Sequence, residues 1–176
     1  MKRIIKILLP VIIFVALAYA GYYIMKISYN KKIREERVSH LPAFTLKTLQ
    51  GNYFTNTDLK QNEPVIFFYF SSECDICQME TEDILSNIEK FADIQIIFVS
   101  IEPIQEIILY QKKYKLDMYD NVTLLNDYKC EFPNSFGVTN LPSSLVYSKN
   151  GILLYRSNSA IKVDYLLSKI KKISNE

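Results

Sequence analysis

The sequence predicts an α/β fold in which a central mixed sheet carries helices on both faces, and three observations predict it. Two apolar runs, residues 65–70 and 94–100, show no alternation, as expected of strands covered on both sides. Apolar residues then recur at helical spacing in three places: Ile84, Leu85, Ile88 and Phe91; Ile104, Ile107, Ile108 and Tyr114; Val163, Leu166, Leu167, Ile170 and Ile173. Lys149-Asn150-Gly151 separates two further apolar runs, and Asn-Gly in that setting is the strongest short signal for a hairpin. Strands that alternate with helices and then pair as a hairpin give a layered, mixed sheet.

The first 40 residues stand apart from this pattern. The chain has 176 residues, enough for one good core and an appendage. Its net charge of +2 conceals a division. Residues 1–37 hold eight Lys and Arg against two Glu, while residues 38–176 hold thirteen against seventeen Asp and Glu. The basic charge belongs to the N-terminal segment, and nothing points to a nucleic-acid surface. Lys2, Arg3 and Lys6 precede residues 7–25, an uncharged run that can just cross a hydrocarbon core of about 30 Å. We read it as an uncleaved membrane anchor rather than a signal peptide cut after Ala20 in Ala18-Tyr19-Ala20. The apolar run continues past that point through Gly21-Tyr22-Tyr23-Ile24-Met25. On either reading the remainder is expected outside the cytoplasm, held on the periplasmic side of the membrane, or secreted or periplasmic if cleaved. Residues 26–40 read as a charged tether. The expected organisation is therefore an anchor and tether over 1–37 and a folded domain over 38–176.

Within that domain, residues 44–46 and 53–55 flank Gln50-Gly51-Asn52 and form a first hairpin. A short turn or helix over 57–60 leads to the central strand at 65–70. Its helix follows through Phe91, and the second buried strand occupies 94–100. Pro103 suits the first turn of the next helix. A short strand over 122–125 is followed by an irregular or helical stretch to Phe136. The Asn-Gly hairpin joins 144–147 to 152–155, and an amphipathic helix ends the chain.

The chemistry concentrates at Phe70-Ser71-Ser72-Glu73-Cys74-Asp75-Ile76-Cys77, where the central strand turns into its helix. A cysteine at that start meets unpaired N–H groups and the positive end of the helix dipole, which favour the thiolate. The second cysteine, three residues on, can close a small disulfide ring with the first. The pattern implies redox chemistry at sulfur. A buried structural disulfide or half of a zinc site is the alternative, but zinc needs further ligands and only Cys130 and His40 remain. A single histidine also excludes histidine-rich metal and acid–base sites.

Three stretches together make the chain resemble thioredoxin-fold proteins, in particular the membrane-anchored TlpA/ResA-type thiol–disulfide oxidoreductases related to the redoxin and AhpC/TSA proteins. They are Pro42-Ala43-Phe44-Thr45-Leu46 with Gly51, the strand before Cys74-Asp75-Ile76-Cys77, and Phe136-Gly137-Val138-Thr139-Asn140-Leu141-Pro142. The resemblance covers roughly residues 41–174. It implies that Cys74 is the attacking thiol and Cys77 the resolving one. It makes Pro142 a cis-proline facing them, and has the Leu141 backbone, with Glu73 nearby, receive the substrate chain as an added strand. The expected partners are thiol and disulfide proteins of the cell envelope and a recycling redox partner. The Cys74–Cys77 disulfide itself is the only redox group, with no metal and no bound cofactor. Two departures stand out. Thioredoxins carry a buried Asp six positions before the first cysteine, where this chain has Phe68, and a Trp just before that cysteine, where it has Glu73. Cys130 is expected to be a buried small apolar residue, and His40 a solvated one. A peroxiredoxin-like peroxidase would need a Pro-x-x-x-Thr-x-x-Cys cradle, which Tyr69-Phe70-Ser71-Ser72-Glu73 does not supply. A copper chaperone of the same fold would need a CxxxC pair and a distal histidine.

Overall fold

The structure is a computed structural model that describes residues 2–171; for residues 2–13, Val15, Lys31, Arg34 and Lys171 it describes the backbone alone. The chain divides into two compact units, Met1–Glu36 and Arg37–Glu176. A helix, α1 (Lys2–Val38), makes up the first. It takes in most of the charged tether read over 26–40, up to Val38. The Lys, Arg and Glu residues there are good helix formers, and Lys32 pairs with Glu36 one turn on at 3.9 Å. The expected membrane span at 7–25 falls in part, at residues 7–13 and 15, on residues whose side chains lie outside those described. Among the described residues, no helix is long and apolar enough to cross a membrane.

The second unit is built on one seven-stranded sheet. Its strands are β1 (Thr45–Thr48), β2 (Tyr53–Thr55), β3 (Val65–Tyr69), β4 (Gln95–Ser100), β5 (Val122–Asn126), β6 (Ser143–Tyr147) and β7 (Leu153–Ser157), in the spatial order β2-β1-β5-β4-β3-β6-β7. Helices α2 (Asp75–Ser86), α3 (Ile104–Tyr114), α4 (Phe132–Phe136) and α5 (Val163–Lys171) connect or follow them. Ile173, the last residue of the predicted C-terminal stripe, lies outside the described residues.

Topology fixes which face each helix covers. β3, β4 and β5 are parallel neighbours, so the β3-α2-β4 and β4-α3-β5 crossovers step the same way and lay α2 and α3 on one face. The next connection reverses across the sheet to β6, which runs antiparallel to β3, and α4 lies on the opposite face. Two cores result. Ile66, Phe68 and Phe98 face Ile84, Ile107 and Leu166, whereas Phe67, Tyr69 and Tyr147 face Phe132, Phe136 and Phe44. The reversal leaves the carboxyl end of β3 beside the amino end of β6, with Tyr69 opposite Ser143. Ligand crevices in open α/β sheets form at such switch points.

One expectation needs correction. The helix after the cysteines does not run to Phe91 but ends at Ser86, and Ile88–Phe91 is a separate 3₁₀ turn. The amide of Asn87 donates to the Asp83 carbonyl at 2.8 Å, taking up an acceptor of the last turn and ending the helix there. Chain packing begins at Val38, which is 1% exposed, and the Tyr147 hydroxyl donates to its carbonyl at 3.3 Å.

Candidate functional site

The last sheet bond of β3 is made by the Phe70 N–H to the Val99 carbonyl, 3.0 Å away. Beyond it the chain turns: the Cys74 N–H donates to the Ser71 carbonyl at 3.2 Å, and Cys74 becomes the N-cap of α2. Its Sγ takes the place usually held by a serine or aspartate oxygen and accepts the Cys77 N–H at 3.2 Å. Cys74 is half-buried, and Cys77 is 2% exposed behind it; both are free thiols. Burial above all pushes the Cys77 thiol up to about 12, with the bond from Cys74 and the nearness of Glu80 adding to it. The Ser71 N–H acts in the opposite direction.

Leu141–Pro142 is a cis peptide bond, and Pro142 is buried at the start of β6. An open groove of about 610 Å³ runs past it, lined by Ile76, Asn140, Leu141, Pro142, Asn158, Ser159 and Ala160. Ile76 lies between the two cysteines in sequence, so the groove joins the CxxC turn to the cis-proline segment. Leu141 is 41% exposed on its wall. Glu73 is exposed, as is Asp75, and neither lines the groove. Met79, like Ile76, is an exposed apolar residue on the same helix.

Glu80 belongs to the site although the spacing of the cysteines does not announce it. It is 6% exposed, one helical turn past Cys77 on the same face. Its Oε1 accepts the Ser144 hydroxyl at 3.2 Å and the Ile161 N–H at 3.1 Å. Burial raises its carboxyl to about 7, against the lowering effect of those two bonds. A signal was present: positions 77, 80, 81 and 84 form one helical stripe, and Glu80 is the only acid on it. Phe68, where a thioredoxin would hold its buried acid, stacks on Phe98 in the core, 5.4 Å between centroids. The carboxyl near the second cysteine therefore comes from the helix rather than from the strand. Behind Cys77, the Thr81 hydroxyl donates to the Cys77 carbonyl at 3.0 Å and meets the Tyr110 hydroxyl at 2.7 Å.

Cys130 is exposed, not buried as expected. It sits in a turn closed by its N–H on the Asp127 carbonyl, with φ of 55°, which turns the residue away from the core. His40 is exposed and its backbone bridges Ile152. That places it at the end of the β6–β7 pair opposite Pro142, one strand length of about 15 Å from the cysteine end. Among the described residues, no group of three or more His, Cys, Asp and Glu is arranged to hold a metal ion.

The AhpC/TSA family profile matches residues 39–156. A curated protein from Rickettsia bellii (strain RML369-C), called SCO2-like protein, is 29% identical over 113 residues, 62% of this chain. The match spans 56% of that protein, so this chain covers about half the length of the relative. Among solved structures, a secreted Mycobacterium tuberculosis disulfide oxidoreductase homologous to E. coli DsbE superposes with a TM-score of 0.63 at 21% identity, over 79% of this chain and 99% of that one. Peroxidoxin BcpB of the same organism superposes with a TM-score of 0.65 at 17% identity, over 76% and 95%. The fold is thus thioredoxin-like, with a central mixed sheet flanked by helices.

Proposed function

The chain belongs to the AhpC/TSA family, and from that premise we propose that it is a membrane-tethered thiol–disulfide oxidoreductase, working as a reductase of cell-envelope proteins through Cys74 and Cys77. One observation carries the proposal: an accessible thiol caps a helix N-terminus while a second thiol lies buried one turn behind it. The uncharged run at 7–25 between basic residues supports the tether and the location outside the cytoplasm.

The Cys74 thiolate attacks one sulfur of a partner's disulfide. That S–S bond breaks, the other partner sulfur leaves as a thiolate, and Cys74 is joined to the partner. Cys77 gives its proton to the Glu80 carboxylate and attacks Cys74 Sγ. The bond to the partner breaks, its second thiolate leaves, and the Cys74–Cys77 disulfide remains. The partner has gained two electrons and the pair has lost them; a dithiol donor restores the pair. Glu80 suits the proton transfer because its carboxyl, at about 7, loses and gains protons near neutral pH. The groove beside Leu141 suits an extended chain laid along the edge of the site, with Ile76 and Leu141 offering apolar contact.

The experiment is insulin reduction by dithiothreitol run beside hydrogen peroxide consumption. We expect insulin reduction that depends on both cysteines and no peroxide turnover above the uncatalysed rate. Peroxide turnover without insulin reduction would favour the peroxidase reading that the peroxidoxin neighbour raises. The copper-chaperone reading weighed in the sequence analysis lacks, among the described residues, a group of three or more His, Cys, Asp and Glu placed to hold an ion, and His40 stands at the other end of the β6–β7 hairpin.

A further inference from the structure

The register of the sheet brings Glu102 to the turn that precedes Cys74. β3 and β4 run parallel with Tyr69 beside Val99, so Ser72 and Glu102 each follow the same rung by an equal length of chain. Beyond Phe70 the chain has left the sheet ladder, and the Ser72 N–H donates to the Glu102 carboxylate instead, at 3.1 Å from Oε1 and 2.9 Å from Oε2. Oε1 also accepts the Ser71 hydroxyl at 2.8 Å and the Ser72 hydroxyl at 3.0 Å. Oε2 accepts the Ser100 hydroxyl at 3.1 Å. Glu102 is fixed in turn: its N–H donates to the Ser100 hydroxyl oxygen at 3.2 Å, and its carbonyl accepts the buried Asn126 amide at 2.8 Å.

The turn held in this way leads directly to the first cysteine. The Ser71 carbonyl accepts the Cys74 N–H at 3.2 Å, and the Ser72 carbonyl accepts the Gln78 amide at 2.7 Å. Cys74 then enters α2 in an extended conformation, φ −85° and ψ 107°, with its Sγ on the Cys77 N–H at 3.2 Å. Sulfur that accepts an N–H at the positive end of a helix is favoured as the thiolate, the attacking species. The contact lasts only while Cys74 keeps its place as N-cap, and the Ser71 carbonyl is what holds the Cys74 backbone there.

We propose that Glu102 is a positioning residue for the attacking thiol: by holding Ser71 and Ser72 it sets Cys74 at the N-cap of α2, with Sγ on the Cys77 N–H. This rests on the reading of Cys74 as the attacking thiol. Glu102→Ala takes the acceptor from the Ser72 N–H and from both hydroxyls, and leaves the turn with the Gln78 bond in place of two anchors. Sγ then spends less time on the Cys77 N–H, and less of it is thiolate at neutral pH. Well above the thiol range the sulfur is ionised whatever it touches, so the difference closes. Glu102→Gln keeps the turn. Its amide oxygen can replace Oε2 on the Ser72 N–H and the Ser100 hydroxyl, while its NH₂ donates to the other serine oxygens.

The test is iodoacetamide alkylation of the reduced full chain, followed by mass spectrometry, in a Cys130→Ser background that removes the exposed third thiol. Rates are compared at about pH 7 and about pH 10, on either side of the ordinary thiol value of about 8.5. Glu102→Ala is expected to slow alkylation of Cys74 about fivefold at the lower pH, the size of one helix-end interaction with a charge, and to stay within about twofold of wild type at the higher. Glu102→Gln is expected to remain within about twofold at both. A wild-type rate for Glu102→Ala at neutral pH, or the same factor at both pH values as in a general loosening, would overturn the proposal. So would Glu102→Gln as slow as Glu102→Ala. Wild-type alkylation that lands on Cys77 before Cys74 would overturn the assignment of the attacking thiol instead. Should Glu102→Ala fail to fold, Ser71→Ala combined with Ser72→Ala carries the same test. It removes both hydroxyl anchors and keeps the carboxylate, and is expected to slow Cys74 about twofold at neutral pH alone.

Discussion

Glu80 alone among the acids of α2 is buried, and that burial is measurable. A carboxyl raised from 4.5 to about 7 holds its proton in the folded protein over a range where the unfolded chain has lost it. The folded state then binds more protons, so stability is fully present below about pH 4.5 and falls as pH rises through about 7. The shift corresponds to roughly 3 kcal/mol. Glu80→Gln keeps an acceptor for Ser144 and Ile161 but takes no proton. Urea denaturation at about pH 5 and about pH 8 should show this loss in the wild type and its absence in the variant. Equal slopes in both would remove Glu80 from the account. At sulfur, Cys74→Ser should abolish disulfide exchange, while Cys77→Ser should accumulate mixed disulfides visible by mass spectrometry. Trapping by Cys74→Ser alone would reverse the two roles. Glu73 and Asp75 flank Cys74 in the chain, and both are exposed. Exchanging both for Gln and Asn should make the disulfide more oxidising by about 30 mV or less, because exposed charges interact weakly. The cysteines were legible in the sequence because their spacing and the preceding strand declare them. Glu80 was legible only in part: the stripe through 77, 80, 81 and 84 marks it among the acids of the helix, but its burial follows from Ser144 of β6 and the loop ending at Ile161, which bond its carboxylate.

At the scale of elements, the buried strands, both hairpins and three of the helices were readable from periodicity. What periodicity missed was decided by single polar side chains. Asn87 ends α2 five residues before the apolar stripe does, and Asp127 starts α4. The Asp127 carboxylate accepts the N–H groups of Glu131 and Phe132, each at 3.0 Å, while itself 1% exposed. Burial raises its carboxyl, offset by those two bonds. That cap places Phe132 and Phe136, whose rings stack at 4.0 Å, against Phe67 on the face of the sheet opposite α2 and α3. Asp127→Ala leaves two donors unpaired under a buried aromatic cluster and should cost about 1–3 kcal/mol, read as a lower urea midpoint. An unchanged midpoint would show that α4 needs no cap. The same turn explains Cys130. A residue held at φ of 55° by the Asp127 carbonyl cannot follow the apolar pattern inward, and no local pattern announces that conformation.

For the molecule as a whole, the unit that begins at Arg37 holds both cysteines of the CxxC turn and the cis-proline. Removal of residues 1–36 should leave a folded, exchange-active protein, because the compact unit begins at Arg37. Extending the cut to Pro42 removes the buried Val38 and the sheet-like bonds Leu153 N–H to Ser39 carbonyl (2.9 Å) and Leu41 N–H to Gly151 carbonyl (2.7 Å). That larger cut should destabilise the domain by about 2–4 kcal/mol. Similar midpoints for the two truncations would contradict the packing described at Val38. The central claim is that Cys74 and Cys77 form one reversible, reducing dithiol pair. Equilibration of the full chain with glutathione buffers, followed by alkylation and mass spectrometry, tests it in a single titration. The account predicts a two-electron transition confined to Cys74 and Cys77 at a potential nearer thioredoxin, about −270 mV, than DsbA, about −120 mV. A transition near the DsbA value, or a disulfide that forms through Cys130 and leaves the Cys74–Cys77 pair unlinked, would contradict it.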